Sequence, residues 1–120
     1  MFNEIIVTNF SAPTHQGTVE SPDIKLSLGN PVCGDKVEIT ACCDQQKITQ
    51  IRFKAWGCAT SLAMANIFCR QVEGLTITEA LKLADNHVDT MLGEIEPSQH
   101  HCLDMLKSLF NQLKAEEIVQ

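Results

Sequence analysis

The sequence predicts an α+β fold: a small three-stranded antiparallel sheet with helices packed on one face and a flexible N-terminal arm. Three observations carry this expectation. Two alternating apolar runs separated by a polar tetrapeptide make a hairpin. The helical patterns follow that hairpin instead of interleaving with strands, which argues for helices gathered on one face. The chain has 120 residues, of which 44% are hydrophobic. That is enough for one domain with a real core and no covalent staples.

Residues 1–27 mix Ser11, Pro13, Gly17, Ser21 and Pro22 with few periodic apolar positions. They are expected to form a weak helix and then a loosely held segment, together a partly mobile arm. From Lys36 to Cys42, Val37, Ile39 and Ala41 alternate with Glu38, Thr40 and Cys42, as in a half-buried strand. Asp44-Gln45-Gln46-Lys47 is the turn, and Ile51, Phe53 and Ala55 then oppose Gln50, Arg52 and Lys54. Ile48 is out of phase with this second run. The pattern thus places two of the three strands directly.

A helical pattern begins near Cys58, with Leu62, Ala65, Phe68 and Val72 on one face, and Gly74 closes it. Thr76 followed by Glu79 is a capping box for a helix from Ile77 to about Ala84. A further short helix is expected over Asn86 to Leu92, then a loop over Gly93 to Gln99. Leu103, Leu106, Phe110 and Leu113 form the inner stripe of a last helix. Nothing suggests a repeat, a linker or a second domain, so residues 1–120 are taken as one unit.

The formal net charge is -6, with a pI near 5.0. That balance disfavours nucleic acid, whose phosphates need a basic surface. No apolar run approaches the roughly 20 residues that span a bilayer. Met1 to Phe10 lacks the basic and long apolar regions of a secretory leader, so a reducing, cytoplasmic setting is expected. The six cysteines are then thiols available for metal or sulfur chemistry.

Three segments concentrate that chemistry: Asn30-Pro31-Val32-Cys33-Gly34-Asp35, Trp56-Gly57-Cys58-Ala59 and His101-Cys102. Thiolate, carboxylate and imidazole are the side chains that hold zinc or iron. The turn before the first strand should expose both Cys33 and Asp35. Cys58 opens a helix, where unpaired N–H groups favour a thiolate. Cys102 also lies at a helix start. A single site built from all three segments follows, and its donors satisfy four-coordinate zinc or a small iron-sulfur cluster equally well. The ligands are distant in sequence and lack a CxxC pair, so folding must assemble the site.

The Asn30 to Asp35 segment, Phe53-Lys54-Ala55-Trp56-Gly57-Cys58-Ala59-Thr60-Ser61, the Val72-Glu73-Gly74-Leu75-Thr76 turn and His101-Cys102 together resemble the IscU/NifU-type iron-sulfur cluster assembly scaffolds, the NifU-like N-terminal domain family. The likeness runs from about Leu28 to Lys114, and more weakly over Asn9-Phe10-Ser11-Ala12-Pro13. It implies a scaffold, not a turnover enzyme. Such a protein receives persulfide sulfur from a cysteine desulfurase, gathers Fe(2+), builds a transient [2Fe-2S] cluster and transfers it to apo-proteins. By the same resemblance Cys33, Asp35, Cys58, His101 and Cys102 are the cluster and metal ligands, with Cys102 the persulfide acceptor and His101 an alternate to Asp35. A carboxylate would keep the cluster labile, because hard oxygen holds cluster iron less firmly than thiolate. Zn(2+) is expected on the same ligands in the cluster-free form, and the protein is expected as a monomer or a cluster-bridged dimer. The family's chaperone-recognition segment, commonly Leu-Pro-Pro-Val-Lys, reads Ile95-Glu96-Pro97-Ser98-Gln99 here, a poor match for docking of the chaperone and co-chaperone. His101, with no insertion after the Gly74 turn, differs from SufU-type relatives, which carry arginine and an extra segment.

Plainer readings compete at each position. The three cysteines could be small buried hydrophobes, Asp35 a turn brace, and His101 a solvated helix-start residue. Cys42, Cys43 and Cys69 are expected to be structural. His15, His87 and His100 are expected at the surface, with His100 near enough to the site to donate from outside it. Trp56 is expected to pack under the cysteine loop. Two other functions are weighed: a structural zinc-binding protein, and a Cys-His hydrolase. The hydrolase ranks last, because side chains adjacent in sequence at a helix start are expected to point apart.

Overall fold

A computed structural model describes residues 3–30 and 34–119 of the chain. The elements run α1 (Glu4–Ser11), β1 (Ile24–Asn30), β2 (Asp35–Asp44), β3 (Lys47–Trp56), α2 (Ala59–Val72), α3 (Ile77–His87) and α4 (His100–Val119), with 3₁₀ turns at Val88–Thr90 and Pro97–Gln99. The sheet is antiparallel with order β1-β2-β3. This is the expected α+β arrangement.

Alternation decides which face of the sheet is buried. Ile24, Leu26, Val37, Ile39, Ala41, Ile51 and Phe53 all point into the core, and Leu26 and Phe53 flank Ile39 from the two neighbouring strands. Lys25, Lys36 and Lys54 lie on the other face and are exposed. The phase break at Ile48 is a bulge: Cys42 pairs with Gln50 but Cys43 pairs with Ile48. The extra residue turns Ile48 back into the core, where it is fully buried.

The second helix is not a one-sided stripe as the spacing suggested. Within α2, Thr60, Ser61, Ala63 to Cys69 and Val72 are all buried. A helix buried nearly all round belongs in the middle of a fold, and α2 packs against the sheet, α1, α3 and α4. Phe68 meets Phe110 of α4 edge to face at 5.0 Å between ring centroids.

Between Ser11 and Ile24 the chain is tied rather than loose. His15 and Gly17 exchange backbone hydrogen bonds with Phe53 on the edge strand. The Val19 N–H then donates to Thr40 Oγ1 on the outer face, and Asp23 N–H to the Ala41 carbonyl. The segment therefore crosses the sheet from β3 toward β1, burying Val19. β1 begins at Ile24, inside the range expected as arm. All of these bonds are long-range, and a periodicity reading sees only local pattern.

His15 is accordingly not a surface residue. Its side chain is 14% exposed and bonds Glu73 at 2.9 Å. His87 and His100 are exposed, and Cys69 is buried, as expected. The third helix runs on to His87, and the expected helix over Asn86 to Leu92 is only the Val88–Thr90 turn. The Thr76 and Glu79 capping box is present in both directions, at 3.1 and 2.9 Å. Thr76→Ala should lower stability by about 1 kcal/mol, seen as an earlier urea midpoint with an unchanged slope. A midpoint equal to wild type would show that the backbone tie of Ile48 on β3 to Gly74 and Leu75, at 2.7 and 2.8 Å, starts α3 instead of the box.

Candidate metal centre

The site lies at the end of the sheet where β2 begins and β3 ends. Asp35 is the first residue of β2. Contrary to the exposed turn expected for it, the carboxylate is buried, with the residue 4% exposed. Its partners explain this. Asp35 Oδ1 accepts from the Cys58 N–H at 3.2 Å, and Oδ2 accepts from the Ser61 hydroxyl at 2.8 Å and faces His101 Nε2 at 2.9 Å. A buried carboxylate with three partners is a satisfied one.

Local sequence makes room for it. β3 leaves the sheet through Gly57 at φ +142, where a Cβ would sit 2.0 Å from Asp35 Oδ1. Both the dihedral and the space demand glycine. Cys58 is then the N-cap of α2 but makes no side-chain cap. Its own N–H donates to Asp35 Oδ1, so one open donor at the helix start is satisfied from β2.

Cys58 is exposed. Burial opposes its ionisation, but hydrogen bonds from the Ser61 side chain and backbone outweigh this and lower its pKa. Cys102, in the first turn of α4, is fully buried. Desolvation pushes its thiol up to about 12. For His101, burial works against charge, but the bonds to Asp35 and Cys58 outweigh it and raise the pKa.

The donor atoms of Asp35, Cys58, His101 and Cys102 all lie within 4.8 Å of one another. Ligand atoms on one tetrahedral zinc sit roughly 3.3–3.8 Å apart, given bonds of about 2.0–2.3 Å. The set thus fits a single four-coordinate ion with small shifts, and its mixture of two sulfurs, one nitrogen and one oxygen suits zinc or iron. Cys33, the remaining sequence-predicted ligand, lies outside the described residues. Trp56 is 49% exposed, with the Lys36 ammonium 5.3 Å from its ring centre, so among the described residues it is not a packed core aromatic.

One expectation fails here. His101 and Cys102 do not point apart: Nε2 and Sγ are 3.4 Å apart. The ring folds back across the start of the helix because Asp35 draws it there. A relay would need one ring nitrogen on the thiol and the other on the carboxylate. In this centre the same nitrogen faces both. Donors aimed at one point serve an ion better than a proton transfer.

Sequence reasoning also passed over Ser61, which contacts Asp35, Cys58 and Cys102. The signal available was its place three residues after the N-cap, where a side chain meets the groups around a helix start. A surface groove of about 470 Å³ between α1 and α2, lined by Ile5, Asn9, Ile67, Arg70 and Met91, includes none of the four donors.

The family model described as the NifU-like N terminal domain matches residues 1–114. The iron-sulfur cluster assembly scaffold protein IscU 1 of Archaeoglobus fulgidus is 31% identical over 105 residues, covering 88% of this chain and 69% of that protein. The zinc-dependent sulfurtransferase SufU of Bacillus subtilis is 26% identical, over 78% of this chain and 63% of its own length. Among solved structures, the N-terminal part of a nitrogen-fixing NifU-like protein from Brucella abortus superposes with a TM-score of 0.68 at 17% identity, covering 94% of each chain, which shows a common fold. Sequence motifs, sheet order and these likenesses agree that the chain belongs to the NifU-like N-terminal domain family, that of the IscU/NifU-type assembly scaffolds.

Proposed function

We propose that this protein is a scaffold on which iron-sulfur clusters are assembled. The observation that carries this is the convergence of Asp35, Cys58, His101 and Cys102 within 4.8 Å, in a chain whose relatives are named as scaffolds. Persulfide sulfur from a cysteine desulfurase, Fe(2+) and electrons from a reductant are the inputs, since the persulfide's outer sulfur must be reduced to sulfide. A transient [2Fe-2S] cluster is the cargo, handed to apo-proteins in the cytoplasm. Cys33 joins the four described residues as a ligand. The cargo is longer than a single ion, so the donors on α4 must part from those on α2 to take it. Only the first turn of α4 has to move, because Leu106, Leu109, Phe110 and Leu113 anchor the rest.

Cys102 is the proposed persulfide acceptor, and its burial means that acceptance requires that same movement. A divalent ion held by these donors in the cluster-free form supplies the charge that keeps the thiols ionised. The four-donor spacing of a single ion, with the likeness to a zinc-dependent sulfurtransferase, supports a second reading in which zinc stays and only sulfur passes through. Colour separates the two. A scaffold gives an iron-sulfide chromophore, whereas a zinc-held carrier stays colourless.

Anaerobic reconstitution with ferrous iron, cysteine and a desulfurase should give visible absorption in the wild type that Cys58→Ser and Cys102→Ser lose. Equal colour in all three proteins would reject the ligand assignment.

Chelation separates a scaffold from a structural zinc protein. Among the described residues, twenty-seven form one buried hydrophobic cluster, and most of it lies away from the rim. The EDTA-treated protein should therefore keep its far-ultraviolet circular dichroism and a cooperative unfolding transition. Loss of both would favour zinc as a folding element.

The raised pKa of His101 fixes a direction for the metal-free protein. Its pairing stabilises the fold fully below the unfolded value near 6.5, and that contribution fades as pH rises through the higher folded value. The stability gap between wild type and His101→Gln should thus be larger at about pH 5.5 than at about pH 8.5. A gap that widens with pH would contradict the pairing.

A further inference from the structure

Ser61 has no ligand chemistry of the usual kind, yet it touches three of the four donors. Its hydroxyl donates to Asp35 Oδ2 at 2.8 Å and lies 3.3 Å from Cys58 Sγ and 3.4 Å from Cys102 Sγ. The residue is fully buried. A hydroxyl carries one proton and two lone pairs. With the proton toward the carboxylate, the lone pairs face the two sulfurs, and in those two contacts either atom can be the donor. Its bonding capacity is used in full by residues of the centre.

We propose that Ser61 is the positioning residue of this centre, holding the Asp35 carboxylate in the orientation that turns it toward the donors of α4. The Cys58 N–H fixes Oδ1. One fixed oxygen still lets a carboxylate swing; the Ser61 bond to Oδ2 stops the swing. Both bonds come from the first turn of α2, which grips the carboxylate like a fork, and the missing Cβ of Gly57 leaves the gap in which it sits. When an ion takes the thiolates and the His101 nitrogen, the proton that His101 shares with Asp35 is lost, whereas the Ser61 bond remains. Partners of this kind hold metal-bound carboxylates and set their affinity.

This inference rests on the metal-site reading, and a double-mutant cycle tells the two apart. Zinc affinity is measured by chelator competition on the full chain for wild type, Ser61→Ala, Asp35→Ala and the double variant, with metal-free urea unfolding alongside. Ser61→Ala should weaken zinc by about 10–100-fold and have no added effect once Asp35 is alanine. An equal loss in both backgrounds would make Ser61 a packing residue and overturn the inference. Wild-type affinity in Ser61→Ala beside a weakened Asp35→Ala would overturn it alone, leaving the metal site standing. Wild-type affinity in Asp35→Ala would remove the carboxylate from the ligand set and overturn both. Ser61→Thr keeps the hydroxyl and should bind within about threefold of wild type. If Ser61→Ala does not unfold cooperatively, this variant decides, and a folded Ser61→Thr with a tenfold or greater loss overturns the inference.

Discussion

A buried carboxylate governs the architecture of this protein's working end. Asp35 is 4% exposed, and an ionised group held out of water costs several kcal/mol unless its lone pairs are bonded. β2 offers it nothing, since a strand's backbone groups are taken by its neighbours. The bonds come instead from α2, through Cys58 N–H and Ser61, and from α4, through His101. The three elements start far apart in sequence, are packed together by a shared apolar core, and there supply the bonds the carboxylate needs. The thiols of Cys58 and Cys102 are carried in on the same two helix starts. For these four donors, assembly is therefore a consequence of folding.

The same helix carries a second polar arrangement at its other end. Glu73, just after α2, accepts from Ile51 N–H and pairs with Arg52 and His15. Burial raises its pKa, and the bonds from His15 and Arg52 outweigh this to lower it. Within the helix, Asn66 is fully buried and is bonded on both sides, accepting from His15 N–H and donating to Asn9 of α1. These bonds fix the crossing segment and α1 onto α2. Polar groups inside an otherwise apolar helix thus specify which surfaces it meets. One end locates the carboxylate; the other locates the N-terminal segment.

What the sequence made legible follows the range of the interactions. The hairpin, the capping box of α3 and the inner stripe of α4 are set by residues within a few positions of one another, and pattern alone reveals them. The bulge at Ile48 was visible as a broken phase although not as a bulge. Burial of Asp35, the bonded state of His15 and the path of residues 12–23 depend on partners tens of residues away, and no period reports them. That Asp35, Cys58, His101 and Cys102 belong together was expected from residue chemistry and family motif, and the structure brings these four side by side. Their geometry was not legible: a rule about adjacent side chains at a helix start gave the wrong separation for His101 and Cys102. Ser61 went unnoticed because serine three residues into a helix is ordinary until the carboxylate across from it is known.

The two described thiols of the centre are kept in opposite conditions, and this orders the chemistry under the proposed function. Cys58 is open to solvent with its pKa lowered, whereas Cys102 is enclosed with its thiol pushed up to about 12. An arriving soft ion meets a ready sulfur at the rim before it meets the latent one beneath. A sulfur donor faces the reverse problem, since it must reach the enclosed atom. His101 connects the two events, for it lies beside both Cys102 and Asp35. Drawing its nitrogen onto an ion replaces the bond that closes the first turn of α4 over the carboxylate. Under the proposed function an ion would take the place of the His101–Asp35 contact, while the bonds from Cys58 N–H and Ser61 would keep the carboxylate where folding put it.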